Sequence, residues 1–292
     1  MMFGKKSDEG LSEVIGFIMI LALIMIFLSI WVIYAVPAEG RQQEIEHMDD
    51  VQNWFTQFKI TADSLWINYD TGSGLGPKDM TISNSIVLGS QGGATHSQGF
   101  FMVFMRPFGS SGTVLLANES EWIQINDNTQ GTVVDEEIIS VQYKASNNYW
   151  IPQTYYYQMG GVFLKQIDGT VNRVAPLFSF YSDGSSNIAK ITITNIERVQ
   201  SGTNLISGEG PVRVDTILTG KTGELTVSDE PTIEMTLRDN SAANAWWSVL
   251  KELGATVDPP ADKTIIITDL DEISYQYVNY TVMLQSVAAA YS

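Results

Sequence analysis

From Val14 to Val36 the chain reads VIGFIMILALIMIFLSIWVIYAV, a run without charge that only Gly16, Ser29 and Tyr34 interrupt mildly. A helix built on it is apolar on every face, the pattern of a membrane span rather than of a buried core helix. Its length would be about 34 Å, against a hydrocarbon core of about 30 Å. Beyond Pro37 the pattern changes. Met48, Val51, Phe55, Phe58, Ala62 and Leu65 recur at spacings of three and four, which places one apolar stripe on an otherwise polar helix. Pro37 lacks a backbone donor, so a kink is expected between the two helical parts. The seam lasts less than about three heptads, which favours packing against the rest of the protein over a coiled-coil stalk.

The turn-rich stretch Asp70-Thr71-Gly72-Ser73-Gly74-Leu75-Gly76-Pro77 ends the helical region, and short β-prone runs follow. They are Met80 to Leu88, Gly99 to Met105, Gly112 to Leu116, Glu121 to Ile125, Ile138 to Tyr143, Thr154 to Gln158 and Gly161 to Lys165. Later runs are Leu177 to Tyr181, Ile188 to Thr194, Pro211 to Leu218, Thr232 to Leu237, Thr264 to Thr268 and Tyr275 to Leu284. Runs of this length, separated by Gly, Asn and Ser, predict an antiparallel β-sandwich or a related architecture. Asp183-Gly184-Ser185-Ser186 either divides it into two lobes or is a hairpin turn. One helix interrupts the pattern from Ala242 to Leu253, with Trp246, Val249, Leu250 and Leu253 on one side and Gly254 as its stop.

Composition sharpens this picture. The formal charge of −17 repels a polyanion over most of the surface, which excludes nucleic acid as a partner. Absence of cysteine removes disulfides, thiolate metal sites and cysteine nucleophiles together. Lys5 and Lys6 precede the apolar run, which places the N-terminus in the cytoplasm and the large C-terminal part outside. Trp31 and Tyr34 near the far end suit an interfacial belt. The expected topology is single-pass in the cell membrane.

The residues before the apolar run, Ser7-Asp8-Glu9-Gly10-Leu11-Ser12-Glu13-Val14-Ile15-Gly16-Phe17, resemble the N-terminus of archaeal type IV pilin-like proteins. In that family a membrane-embedded prepilin peptidase cuts on the cytoplasmic side, and the apolar helix stays on the mature protein. The resemblance implies a cut between Gly10 and Leu11, although Glu9 stands where the family usually has Lys or Arg. Ser7 followed by Asp8, with Lys5 and Lys6 before it, resembles an archaellin site and is the alternative. Glu13 corresponds loosely to the glutamate thought to pair with a neighbouring subunit's terminal amine; otherwise it sits in the headgroup region. The implied partners are membrane lipid, the prepilin peptidase, pilus assembly machinery and other pilin subunits. The implied role is a structural subunit or minor pilin whose head serves adhesion or interaction, the rival being an anchored surface protein that binds a ligand or partner and never polymerises.

The expected fold is α+β and mainly β. A leader over 1–10, a transmembrane helix over 11–36 and an amphipathic helix over 37–70 precede an extracellular β domain over 80–292, which is expected to be soluble without its anchor. No catalytic site or cofactor is expected. The two histidines, His47 on the polar side of the second helix and His96 in a loop, have no evident partners. The glycine cluster from Gly72 to Gly76 lacks the context of a nucleotide loop. Asn126, Asn128, Gln130, Gly131 and Glu137 match an EF-hand in places, but their flanks read as strands. Asp135, Glu136 and Glu137 read as a solvated turn. Asn118-Glu119-Ser120 and Asn279-Tyr280-Thr281 are N-glycosylation sequons, the second inside a strand-like run.

Overall fold

The computed structural model describes residues 6–69, 76, 79–90, 107–199 and 202–286, with side chains from residue 12 onward. His96 and the run from Gly99 to Met105 lie outside the described residues. The chain begins with one helical rod: α1 (Lys6–Ile30), a π turn (Trp31–Ala35) and α2 (Val36–Ile67). The interruption expected from Pro37 is taken up one turn earlier. Val36 donates its N–H back to the Trp31 carbonyl, a wider step than the α-helical one, just where the missing proline donor would break the ladder.

Fourteen strands follow among the described residues. In chain order they are β1 (Thr81–Val87), β2 (Ser111–Asp127), β3 (Gly131–Ser146), β4 (Thr154–Gln158), β5 (Gly161–Gln166), β6 (Gly169–Val174) and β7 (Ser179–Ser182). The second half comprises β8 (Asn187–Arg198), β9 (Leu205–Gly208), β10 (Pro211–Lys221), β11 (Leu225–Val227), β12 (Thr232–Thr236), β13 (Thr264–Ile267) and β14 (Glu272–Ser286). The fold is α+β and mainly β. Helix α3 (Asn240–Glu252) separates β12 from β13. The Asp239 side chain caps it by accepting the Ala242 N–H, and Gly254 ends it at φ +93°, a conformation that favours glycine.

The strands form two sheets. One has the order β1-β10-β14-β8-β7, with β11 beside β14; the other runs β13-β12-β2-β3-β4-β5-β6, with β9 beside β2. Pairing is antiparallel except between β14 and β8, which run parallel. The stretch Asp183–Ser186 is the hairpin turn between β7 and β8, and strands from both sides of it share each sheet. The runs Gly112 to Leu116 and Glu121 to Ile125 are one strand, β2, bulged between Asn118 and Trp122. Asp135, Glu136 and Glu137 lie within β3 rather than in a turn. There Gln124, Ile123 and Trp122 pair with them across the ladder.

Two apolar clusters fill the interior, each drawing on both sheets. The first gathers around Trp246 of α3, with Phe163, Ile123, Ile191 and Ile273. Because α3 touches β6 and β13, the two edge strands of the larger sheet, that sheet curls around it. A buried polar chain crosses this region. Trp246 Nε1 donates to Gln158, Gln158 donates to Glu121, and Glu121 receives both arms of the Arg238 guanidinium at 3.0–3.1 Å. Each buried polar group named here has a partner, which makes the network structural. Trp247 lies at its shoulder and donates to the Val257 carbonyl. The second cluster is built on α2.

Candidate functional site: an exposed apolar helix and its seat on the head

Every residue of the stripe Met48, Val51, Phe55, Phe58, Ala62 and Leu65 is buried, at 3% exposure or less. They meet β1 and β10 of one sheet and β4 and β5 of the other, so α2 belongs to the core rather than to a stalk. Phe55 stacks on Tyr155 at 6.0 Å between centroids, and Phe58 meets Tyr157 edge-on at 5.1 Å. Burying each such large side chain contributes about 1.5–3 kcal/mol. At the far end Tyr280 Oη donates to the Ala62 carbonyl at 2.6 Å, and Lys221 Nζ donates to the Trp66 and Tyr69 carbonyls. This ammonium satisfies acceptors that a helix C-terminus leaves unpaired.

The same face carries polar groups at the end nearer α1. Glu44 is fully buried, and its carboxylate accepts three consecutive backbone N–H groups, from Asn148, Tyr149 and Trp150, at 2.6, 2.8 and 2.6 Å. The β3–β4 loop is thereby pinned to the helix. One turn earlier, Gly40 leaves room for the Tyr149 ring: a Cβ there would fall 2.4 Å from Tyr149 Cδ2 and 2.8 Å from Pro107 Cβ. Arg41 lies over the Trp150 ring at 4.4 Å.

His47 is buried too, not on a polar face, and it has a partner. Its Nε2 lies 3.0 Å from Tyr143 Oη, which itself donates to the Leu88 carbonyl at 2.6 Å. With the phenol proton committed to Leu88, the bond from His47 is an Nε2–H donation. Burial lowers the His47 pKa, opposed by the Leu88 carbonyl and by Asp50 and Glu44, and burial pushes the Tyr143 phenol up. Gly40, Glu44 and His47 continue the three-and-four spacing of the stripe toward α1. That continuation was the signal in the sequence; their polarity hid it.

The other half of the rod is the opposite in character. Its apolar side chains, among them Phe17, Met19, Leu23 and Phe27, stand exposed, and none of its most apolar window is buried inside the protein. Ser29, within this run, returns its hydroxyl proton to the Met25 carbonyl. It is one helix long and apolar enough to cross a membrane. Gly10, Leu11, Ser7 and Asp8 fall in the first turns of α1, where only the backbone is described. Glu13 is exposed immediately before the uncharged run that begins at Val14, and among the described residues no basic side chain pairs with it.

The two sequons differ. Asn118 and Ser120 are exposed at the β2 bulge, where Ser120 has φ 57° and donates its N–H to Asn118 Oδ1 at 3.2 Å. Asn279 sits mid-strand in β14, paired on both sides by β10 and β8. The EF-hand-like spacing falls on the β2–β3 hairpin, where Asp127 Oδ1 accepts the N–H groups of Thr129 and Gln130. Among the described residues no three His, Cys, Asp or Glu side chains gather as a metal site. A polar groove of about 600 Å³ is lined by Asn187, Glu230, Asp269 and Asp271. No family model, curated protein or solved structure matches the chain.

Proposed function

We propose that this chain is a structural subunit or minor pilin of an archaeal type IV pilus-like surface filament, assembled through its apolar N-terminal helix and displaying the β head for adhesion or interaction. The observation that carries this reading is the division of one helical rod. Its second half completes the head's core, while its first half offers apolar surface on all sides that no described residue of the head covers. Apolar surface of that extent is covered by lipid before assembly and by equivalent helices after it. The N-terminal resemblance points the same way, with a prepilin peptidase cutting at Gly10–Leu11 or Ser7–Asp8 on the cytoplasmic side and the head outside. Glu13, uncompensated within the described chain, is then the group that a neighbour's terminal amine neutralises.

Asn118, exposed at its bulge, is the sequon open to a glycan once the head is folded; Asn279 is closed by its ladder. A mass increment on the Asn118 peptide alone is the expected result, and one on Asn279 would overturn this.

Sequencing the N-terminus of the protein extracted from membranes tests the main reading. A start at Leu11 or Asp8 with the apolar helix retained is expected. An intact Met1 or Met2 would replace it with the reading of a permanently anchored, non-polymerising surface protein with a ligand- or partner-binding head.

A further inference from the structure

The apolar run ends at Val36, and Gly40 is already enclosed by the head. Four residues of helix advance about 6 Å. The headgroup layer of one leaflet is itself about 5–7 Å deep. If α1 spans a bilayer, the rim of the head that grips Gly40 therefore stands at the depth of the headgroups.

That rim is suited to such a place. Phe108 is 80% exposed, an unusual state for a phenylalanine beside a well-packed loop. Its backbone N–H is held by the Tyr149 hydroxyl at 3.2 Å, and Tyr149 packs on Gly40. Trp150, partly exposed, carries the Arg41 guanidinium over its ring. Aromatic rings beside an arginine match the chemistry of a lipid interface, where rings sit among headgroups and long cationic chains reach toward phosphates. The rim cannot lift away by loop motion alone, because the Glu44 carboxylate holds Asn148, Tyr149 and Trp150 to the helix.

We infer that the lower rim of the head, formed by Phe108, Tyr149, Trp150 and Arg41, is a lipid-binding surface that seats the head on the membrane from which its helix emerges. The inference rests on the membrane-spanning reading of α1 and adds to it a second, peripheral contact. Phe108 is the side chain that enters the bilayer interface. The surrounding surface is not basic, with Glu39 and Glu46 exposed nearby, so insertion of aromatic rings rather than attraction to anionic lipid drives the contact.

Because the chain contains no cysteine, a single introduced thiol reports one position. Full-length Phe108→Cys, Ala22→Cys and Ser185→Cys proteins, each carrying an environment-sensitive fluorophore, would be placed at one chain per phosphatidylcholine nanodisc. Quenching by lipid nitroxides, placed near the headgroup for 108 and 185 and along the acyl chain for 22, and by aqueous iodide would then be compared. Ala22 lies in the apolar run and Ser185 in the remote β7–β8 turn. The expected result is lipid quenching with loss of iodide access at 108, and the reverse at 185. Iodide access at 108 equal to that at 185, with lipid quenching retained at 22, overturns the seat and leaves the anchor standing. Absence of lipid quenching at 22 removes the anchor and the seat together. Shielding at 108 from iodide without lipid quenching also overturns the proposal, since a protein surface then covers the ring.

Discussion

The Glu44 carboxylate accepts the Trp150 backbone N–H at 2.6 Å while fully buried, joining a helix and a loop more than one hundred residues apart. Two neighbouring N–H groups converge on the same two oxygens. An ionised acceptor makes each of these bonds stronger than a neutral pair would.

Glu44→Gln tests that convergence. The amide nitrogen brings donors where only acceptors fit, orphaning at least one buried N–H, so a loss of about 3 kcal/mol is expected. Chemical denaturation of the full chain in detergent measures it. Proteolytic cutting within residues 147–153 should rise in parallel, and an unchanged midpoint would show that the loop holds without the carboxylate.

His47 makes the seat sensitive to acid. Its folded pKa is lowered from 6.5, chiefly by burial, so the unfolded chain binds the proton more readily than the folded one. Its contribution is therefore intact above the unfolded pKa and is lost as pH falls below it, toward the lowered folded value. Thermal midpoints between about pH 7.5 and about pH 5.5 should fall in the native chain, and fall less in His47→Gln, which keeps a donor for Tyr143 but does not titrate in this range. Parallel profiles would assign the acid sensitivity elsewhere.

Truncation separates the anchor from the core. A fragment beginning at residue 38 keeps all of the buried stripe and should be soluble, folded and rich in β structure by circular dichroism. Burial of α2 reverses the expectation that the domain from residue 80 onward is soluble without what precedes it: a fragment beginning at Met80, although it holds all fourteen described strands, uncovers Tyr155, Tyr157 and Tyr280 and should aggregate. Equal behaviour of the two would mean that α2 is dispensable to the head.

Assembly is tested by a pair of substitutions. Ala22→Asp places a carboxylate within the apolar run, at a cost of about 2.5–3.5 kcal/mol on insertion scales, and should prevent membrane insertion. Glu13→Gln should leave the protein in the membrane yet reduce its entry into filaments sheared from cells and viewed by electron microscopy. Normal incorporation would remove Glu13 from the assembly contact.

Much of this architecture was legible because burial imposes a period. The stripe from Met48 to Leu65 repeats at helical spacing, and runs such as Thr154–Gln158 coincide with their strands. Strands β6, β9 and β11 escaped because they are short and only partly buried, with no continuous apolar face to advertise them. The β2 bulge made one strand read as two. Partner choice was hidden as well: β8 and β14 look alike as apolar runs, and nothing local says that they run parallel. The polar seat residues failed for a different reason. Glu44 and His47 are buried only because remote backbone and phenol groups satisfy them, and those partners cannot be read from helical spacing.

The position of β14 sets the order in which the head can be made. The last described strand lies between β10 and β8, and its Tyr280 bonds to Ala62, 218 residues earlier. On a chain emerging N-terminus first, α2 and the earlier strands wait with their apolar faces uncovered until β14 has been made. Closure is then a late, long-range event, slow by comparison with a chain of local hairpins. A premature stop before residue 272 leaves the smaller sheet open between β10 and β8, an unclosed intermediate and not a smaller head.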